Sequence, residues 1–391
     1  MCMFRNLKAM SVATTGLLVM SLAALFIGVQ SGGVAAGAAK SSFVIGVPLP
    51  MTGAEAASGN EIFKAEELAA SQINAAGGIL GHKVTLVEED SACDATTAAN
   101  AANLLVTKHV NAIVGEYCSS DALPEEPIFN RAGLPVIFAA ANSPALLTFG
   151  YKDIFLALNS AAEDSATAVA FFKQDLQKTS IAIVDDQSAF GVAIANSMQT
   201  DVKADGMTVA GGSIQAVPNT LVDFSSVIAA IKSSGATGIF WTGYYAQAAL
   251  FVKQLAAAGV TAPFIGDSAA FDPTFITGAG AAAEGTFVTS AVAPSGAALN
   301  KFTAQYMKKF HSAPGPYSAY GYDGIKLIAN AAEKAKSIND SKIIASLHKT
   351  NYVGVTGRFK FASDGDRTGI AEEILTVTNG AYVKNPVQPK L

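Results

Sequence analysis

From Phe43 onward the chain alternates short apolar runs with longer amphipathic ones, and most apolar runs end in a polar loop. Phe43 to Leu49 alternates like a strand and delivers Pro50-Met51-Thr52-Gly53. A helix is expected from Ile62 to Ala76, where Ile62, Leu68, Ala69 and Ile73 share one face and Gly77-Gly78 stops it. Val84 to Val87 reads as a second strand and Asp94 to Thr107 as a second helix. Ala112 to Gly115 and Pro135 to Phe138 are two further strands. Between them the spacing predicts a helix from Leu123 to Ala132, with Pro124 in its opening turn and Gly133 just after its end. Ile154-Phe155-Leu156 is the fifth strand. Such alternation implies a parallel sheet with right-handed crossovers and helices on both faces.

After Asn159-Ser160 the pattern restarts, so a second sheet is expected. Helices at Ala162 to Leu176, Val192 to Ala204, Phe224 to Ile231 and Ala246 to Ala258 interleave with apolar runs. Those runs are Ile181 to Val184, Thr208 to Ala210, Gly238 to Trp241 and Pro263 to Gly266. A strand at Gly285 to Thr289 is followed by helical segments Leu299 to Phe310, Tyr317 to Lys334 and Lys342 to Leu347. The end is β-rich, with a strand from Arg358 to Phe361 and a hairpin of Ile374 to Val377 and Ala381 to Val383 around Asn379-Gly380. The tail from Pro386 to Leu391 is expected to be ordered only by docking. The two halves repeat an architecture, not a sequence.

Composition changes this picture at the N-terminus. Arg5 and Lys8 precede an apolar run from Met10 to Val29, and small residues follow as far as Ala39. Residues 1–39 therefore read as a secretory signal. A membrane anchor is the competing reading, but the spacing of the alanines favours cleavage. Cys2 lies before the apolar run, so it is not a lipoprotein cysteine. Without Arg5 and Lys8 the 26 basic residues fall to 24 against 31 acidic ones, a formal charge of −7, which argues against nucleic acid as a partner. With 391 residues, 50% of them hydrophobic, there is enough chain for two cores. Cys93 and Cys118 are the remaining cysteines, and in an oxidising compartment such a pair most simply forms one disulfide. His82, His109, His311 and His348 lack ligand spacing, so neither a metal nor a cofactor is expected.

The candidate site lies where two strand ends meet helix starts. Ala112 to Gly115 runs into Cys118-Ser119-Ser120-Asp121, and Pro135 to Phe138 gives way to Ala139-Ala140-Ala141-Asn142. Ligands of parallel α/β sheets bind beyond the carboxyl ends of strands, where helix N-termini point free N–H groups at them, and a carboxylate suits that corner. The competing reading is that Ser119, Ser120 and Asp121 only cap a helix; Asp121, Glu125 and Glu126 would also compete with an anion. Phe190, Tyr244 and Tyr245 would lie beyond the second sheet in the same way, as the aromatic wall of a small-molecule cleft, although each is individually as suited to core packing.

Other motifs fail their context tests. Gly278-Ala279-Gly280-Ala281-Ala282-Ala283 mimics a dinucleotide fingerprint, but neither the preceding strand nor the following acid is there. Ser346 and Lys349 have Ser-x-x-Lys spacing without partner motifs. No nucleophile-and-base pattern is present, so an enzyme is not expected.

Taken together, several stretches resemble the type I periplasmic binding proteins of branched-chain amino acid ABC importers, the leucine/isoleucine/valine-binding group. They include Pro50 to Gly53, Ile73 to Ile79, Asp90 to Asp94, Cys118-Ser119-Ser120, Ala139-Ala140, Asp186 to Gly191 and Gly243-Tyr244. The resemblance implies two Rossmann-like lobes with parallel sheets, joined by a three-segment hinge that closes over the ligand, and a disulfide between Cys93 and Cys118. The lobes are expected at residues 40–159 with 289–360 and at 160–288 with 361–391. Ser119 matches the serine that holds the ligand carboxylate, Ala140 the residue whose carbonyl receives its ammonium, and Tyr244 an aromatic of the second lobe. Asn142 stands where the group has threonine, Ser58 and Phe190 where it has tyrosines, and Ser268 where its ammonium-binding glutamate belongs; Asp267, one position away, is the candidate substitute.

The resemblance implies a monomeric periplasmic receptor that captures a small carboxylate, foremost an aliphatic branched-chain amino acid, and delivers it to membrane permease subunits. Another carboxylate or amide ligand (a 2-oxo acid, an aromatic acid or urea), a sensor on the same fold and an exported hydrolase are the alternatives.

Overall fold

The computed structural model describes residues 41–291 and 295–390, so the expected signal segment and Leu391 lie outside the described residues. β1 (Phe43–Leu49), β2 (Val84–Asp90), β3 (Ala112–Val114), β4 (Val136–Phe138) and β5 (Ile154–Leu156) form an all-parallel sheet in the order β2-β1-β3-β4-β5. The chain passes to one side of β1 for β2 and to the other for β3. That reversal leaves a crevice beyond the carboxyl ends of β1 and β3. α1 (Ala56–Ala75), α2 (Ala95–Thr107) and α3 (Ser119–Ala132) make the crossovers.

The second sheet comprises β6 (Ser180–Asp185), β7 (Thr208–Val209), β8 (Gln215–Ala216), β9 (Gly238–Thr242), β10 (Phe264–Gly266) and β11 (Phe287–Ala291), all parallel. Its crossovers are α4 (Ala162–Gln174), which leads in, then α5 (Ala189–Ala204), α6 (Ser225–Ser233), α7 (Tyr245–Ala257) and α8 (Pro273–Ala279). Here the order reverses between β6 and β9. The chain then forms α9 (Ala297–Phe310), α10 (Ser318–Ala335) and α11 (Asp340–Leu347), with α10 lying along α1. A small hairpin of β12 (Tyr352–Gly354) and β13 (Gly357–Phe359) follows. The last two strands, β14 (Glu372–Thr378) and β15 (Ala381–Lys384), return to the second sheet.

Three differences from the sequence expectation have physical causes. α3 begins at Ser119, four residues before Leu123, and carries Pro124 and Pro127 in its interior. Each proline removes a helix hydrogen bond at about 3 kcal/mol in an isolated helix. The packed face of Ala122, Glu125, Glu126 and Phe129 outweighs this, and the prolines sit on the half-exposed side. The second sheet is mixed rather than parallel, because β14 enters antiparallel to β11 and turns back into β15. β12 is too short and too exposed to leave an apolar run. The tail docks as expected: Gln388 exchanges hydrogen bonds with the Ile374 backbone (2.9 Å each), and the Lys390 amide donates to Gln174 Oε1 at 3.3 Å.

The segment after β5 is stitched to the segment before β14. The Leu156 amide donates to the Gly365 carbonyl (3.0 Å), the Ser160 amide to Asp366 Oδ1 (2.8 Å), and Asn159 Nδ2 to Glu372 Oε1 (3.1 Å). Among the described residues no helix is long and apolar enough to cross a membrane.

Candidate functional site

The loops that leave β1 and β3 on the first sheet, and β6 and β9 on the second, meet one another, so both points of strand-order reversal feed one site. In the β3 loop the Glu116 carboxylate accepts from the amides of Tyr117 (2.9 Å) and Cys118 (3.4 Å). Its carbonyl accepts from Ala140 (3.0 Å) and Ala141 (2.9 Å). A disulfide joins Cys118 to Cys93, with Cα atoms 5.6 Å apart, and pins the start of α3 to the loop after β2. Ser119 is thereby fixed as the first helical residue: its Oγ accepts from the Ser143 amide at 3.2 Å, and its own amide faces the second sheet's loops, where it donates to the Tyr244 hydroxyl at 3.1 Å.

On the opposite side, buried Asp186 follows β6. Its carboxylate accepts from Ser188 N (2.9 Å) and Tyr244 N (3.1 Å), while burial pushes it up to about 6. Gly243 lies hard against it at φ +137°, where a Cβ would sit 2.2 Å from Asp186 Cγ, so only glycine fits. This brings the Tyr244 ring to 5.7 Å from Tyr117 and 6.2 Å from Phe190, centroid to centroid. Tyr317, at the start of α10, adds an edge contact to Tyr117 at 5.5 Å and donates its hydroxyl to the Ser268 carbonyl at 2.5 Å. Burial raises the hydroxyls of Tyr117, Tyr244 and Tyr317 well above the ordinary range, so all three stay protonated.

Ser119, Tyr244 and Phe190 thus come together. Ser58 also bridges the two sides, donating from Oγ to Asp272 Oδ2 at 3.1 Å, as does Tyr245, whose hydroxyl donates to the Ala54 carbonyl at 3.3 Å. The side chain of Asn142 is directed elsewhere, onto the Asn159 carbonyl at 3.0 Å. Asp267 is fully buried and engaged within its own half: it accepts from Gly243 N (2.9 Å) and Ala269 N (3.1 Å), and burial, with Asp164 nearby, holds it well above the usual carboxylate range. The Ser268 amide donates to Asp164 at 2.9 Å.

Sequence reasoning missed Tyr117, Tyr317, Asp272 and Glu55. Glu55 had a signal, an acid two residues beyond Gly53 in the loop that β1 delivers. Beside these groups is a cavity of about 180 Å3, lined from both sides by residues that include Ala54, Glu55, Cys93, Asp186, Tyr244 and Gln247. Larger hollows of about 400 and 530 Å3 lie between α10 and α11 and beside β13, away from both strand-order reversals.

A two-sheet architecture with its site at facing strand ends is that of a hinged solute-binding protein, and the chain belongs to the periplasmic binding protein family, which it matches over residues 42–378. It is 28% identical to the Leu/Ile/Val-binding protein homolog 2 of Brucella abortus (strain 2308), a match covering 84% of this chain and 89% of that one. Its fold is similar to a leucine binding protein of Thermotoga maritima MSB8, with a TM-score of 0.82, 27% identity, and 88% and 98% of the two chains covered. It is likewise similar to the branched-chain amino acid transporter substrate binding protein LivJ of Streptococcus pneumoniae, solved with isoleucine, with a TM-score of 0.80, 26% identity, and 89% and 100% covered.

Proposed function

We propose that the chain is the extracytoplasmic solute receptor of an ABC importer, a binding protein rather than an enzyme. It captures a small amino acid, foremost an aliphatic branched-chain one, and presents it to membrane permease subunits. In this reading residues 1–39 direct export to the periplasm, and the monomer closes as two lobes, one built on each sheet; of the crossings expected at residues 159, 289 and 361, the second moves beyond Ala291, because β11 pairs with β14 in the second sheet as far as that residue. The Leu/Ile/Val-binding relative of Brucella abortus and the isoleucine-bound protein of Streptococcus pneumoniae support the ligand class. The observation that carries the reading is the Ser119 amide at the start of α3, which donates across the cleft to an oxygen, the Tyr244 hydroxyl.

A ligand carboxylate replaces that neutral acceptor with a charged one, and charge-assisted hydrogen bonds are shorter and about twice as strong. The start of α3 adds its dipole, worth up to about 2 kcal/mol when partly buried. Closure is a population shift, driven by contacts the ligand makes with both lobes at once. Phe190 and Tyr244 then cover its apolar part. Ser119→Ala removes the hydroxyl that orders the Ser143 amide beside the carboxylate and is expected to weaken binding by about 1.5–3 kcal/mol, roughly ten- to a hundredfold in Kd. Calorimetry on the folded variant checks this; unchanged affinity for the best ligand would remove Ser119 from the site.

A further inference from the structure

We propose that Glu55 and the cavity it lines form a subsite for an organic cation, the ammonium or guanidinium nitrogen of the ligand. The inference rests on reading the strand-end cleft as the ligand site, and it assigns to the β1 loop a role that the resemblance placed at Asp267 and Ser268.

The carboxylates around the cleft differ in how far their oxygens are already engaged. Asp267 and Asp186 both spend their oxygens on backbone amides of their own half, and Asp272 accepts from Ser58 and from the Thr274 amide at 2.7 Å. Glu55 is different. It is 4% exposed and lines the cavity, and among the described residues its Oε2 has no hydrogen-bond partner. A buried carboxyl oxygen left without a partner costs stability, and such a cost persists where function uses it. The residues that line the cavity include no Lys or Arg, so an anion gains nothing there, whereas a cation meets Glu55 with Asp186 behind it and the Tyr244 ring beside it. Carboxylate and aromatic face together are the surroundings that bind organic ammonium groups.

Five groups from four elements face Glu55: Tyr244 and Tyr245 at the start of α7, Asp272 ahead of α8, Asp186 after β6 and Tyr117 after β3. None is a cation. Burial pushes the Glu55 carboxyl up to about 8, and Asp272 and Asp186 add to it against a hydrogen bond with Tyr245. At pH 7 the carboxyl therefore holds its proton, and an arriving cation expels it. Binding of an ammonium compound must then release a proton, and its affinity must rise between pH 6 and pH 9.

The experiment titrates the intact protein calorimetrically with leucine, lysine, 1,5-diaminopentane and 4-methyl-2-oxopentanoate, each at pH 7 in two buffers of different ionisation enthalpy. The expected result is that the tightest ammonium-bearing compound binds at least thirtyfold better than the oxo acid and releases close to one proton. Glu55→Gln should lose at least thirtyfold for that compound and abolish the proton release, leave the oxo acid unaffected, and Glu55→Asp should recover part of the loss. Leucine as the best binder places the α-ammonium in the subsite; lysine or the diamine places a distal nitrogen there. The subsite is overturned if no ammonium compound binds, or if Glu55→Gln binds the best one as wild type does. Loss in Ser119→Ala without loss in Glu55→Gln removes the subsite and keeps the carboxylate anchor; the reverse pattern removes the anchor and keeps the subsite.

Discussion

Arg367→Ala lowers the stability of the protein by about 3–5 kcal/mol, read as a fall in the denaturant midpoint with an unchanged slope. Arg367 is 1% exposed, and its guanidinium makes five hydrogen bonds: Nη1 to the Ala157 carbonyl (2.6 Å) and Thr356 Oγ1 (3.1 Å), Nη2 to the carbonyls of Thr356 (2.9 Å) and Arg358 (3.2 Å), and Nε to the Arg358 carbonyl (3.3 Å). The group lies 3.6 Å over the Phe359 ring centroid. Burial pulls it down to about 10, so it remains charged at neutral pH. Alanine leaves three interior carbonyls without a donor and opens a void, both of which cost stability. Because Ala157 begins the segment that leaves the first sheet, the same change loosens the joint between the two halves. Arg367→Lys retains the charge but not the planar fork, and an intermediate loss is expected. A midpoint equal to wild type for Arg367→Ala would show that water takes over these bonds at no cost.

The protein is expected to lose stability as pH rises from 5 to 9. Burial raises nearly every interior carboxyl group: Asp121 to about 7, Glu126 and Glu372 to about 9, and Glu66, Glu116 and Glu125 well above the ordinary range. A raised group holds its proton in the folded chain after the unfolded chain has released it. Between the unfolded value, near 4.5 for glutamate, and the folded one, the folded state binds more protons, so the stabilising difference is complete below that window and is lost on passing upward through it. One such proton is worth 1.36 kcal/mol per pH unit, so a single group over two units removes about 3 kcal/mol. That corresponds to roughly 6–12 °C in Tm for a domain of 150–250 residues. Scanning calorimetry at pH 5, 7 and 9 tests it, and a Tm that climbs across that range would contradict the protonated interior.

Most of the fold was legible because its strands are apolar runs of strand length and several helices, among them α1, α3, α5 and α7, stop at or just before a glycine. The place of Ser119, at a helix start beyond a strand end, was legible for a related reason, although the same pattern also fits a helix cap. What was not legible depends on contacts between distant segments. Tyr317 meets Tyr117 only because the chain returns to the first half after α9, some 200 residues later. Tyr117 itself is a lone aromatic between a strand end and Cys118, with nothing in its neighbourhood along the chain to mark it. Asp267 stood within one residue of the expected ammonium ligand, but sequence distance says nothing about direction, and its oxygens turn back to Gly243 and Ala269. The start of α3 was obscured by prolines that propensity penalises and packing tolerates.

The most direct test of the receptor function is calorimetric titration of the intact wild-type protein with leucine, isoleucine and valine, alongside their 2-oxo analogues and aromatic acids. Saturable binding of one molecule per chain by at least one of the three amino acids, tighter than by its oxo analogue, is the predicted result. No heat and no thermal stabilisation with any of the amino acids, or a preference for the oxo or aromatic acids, would contradict it.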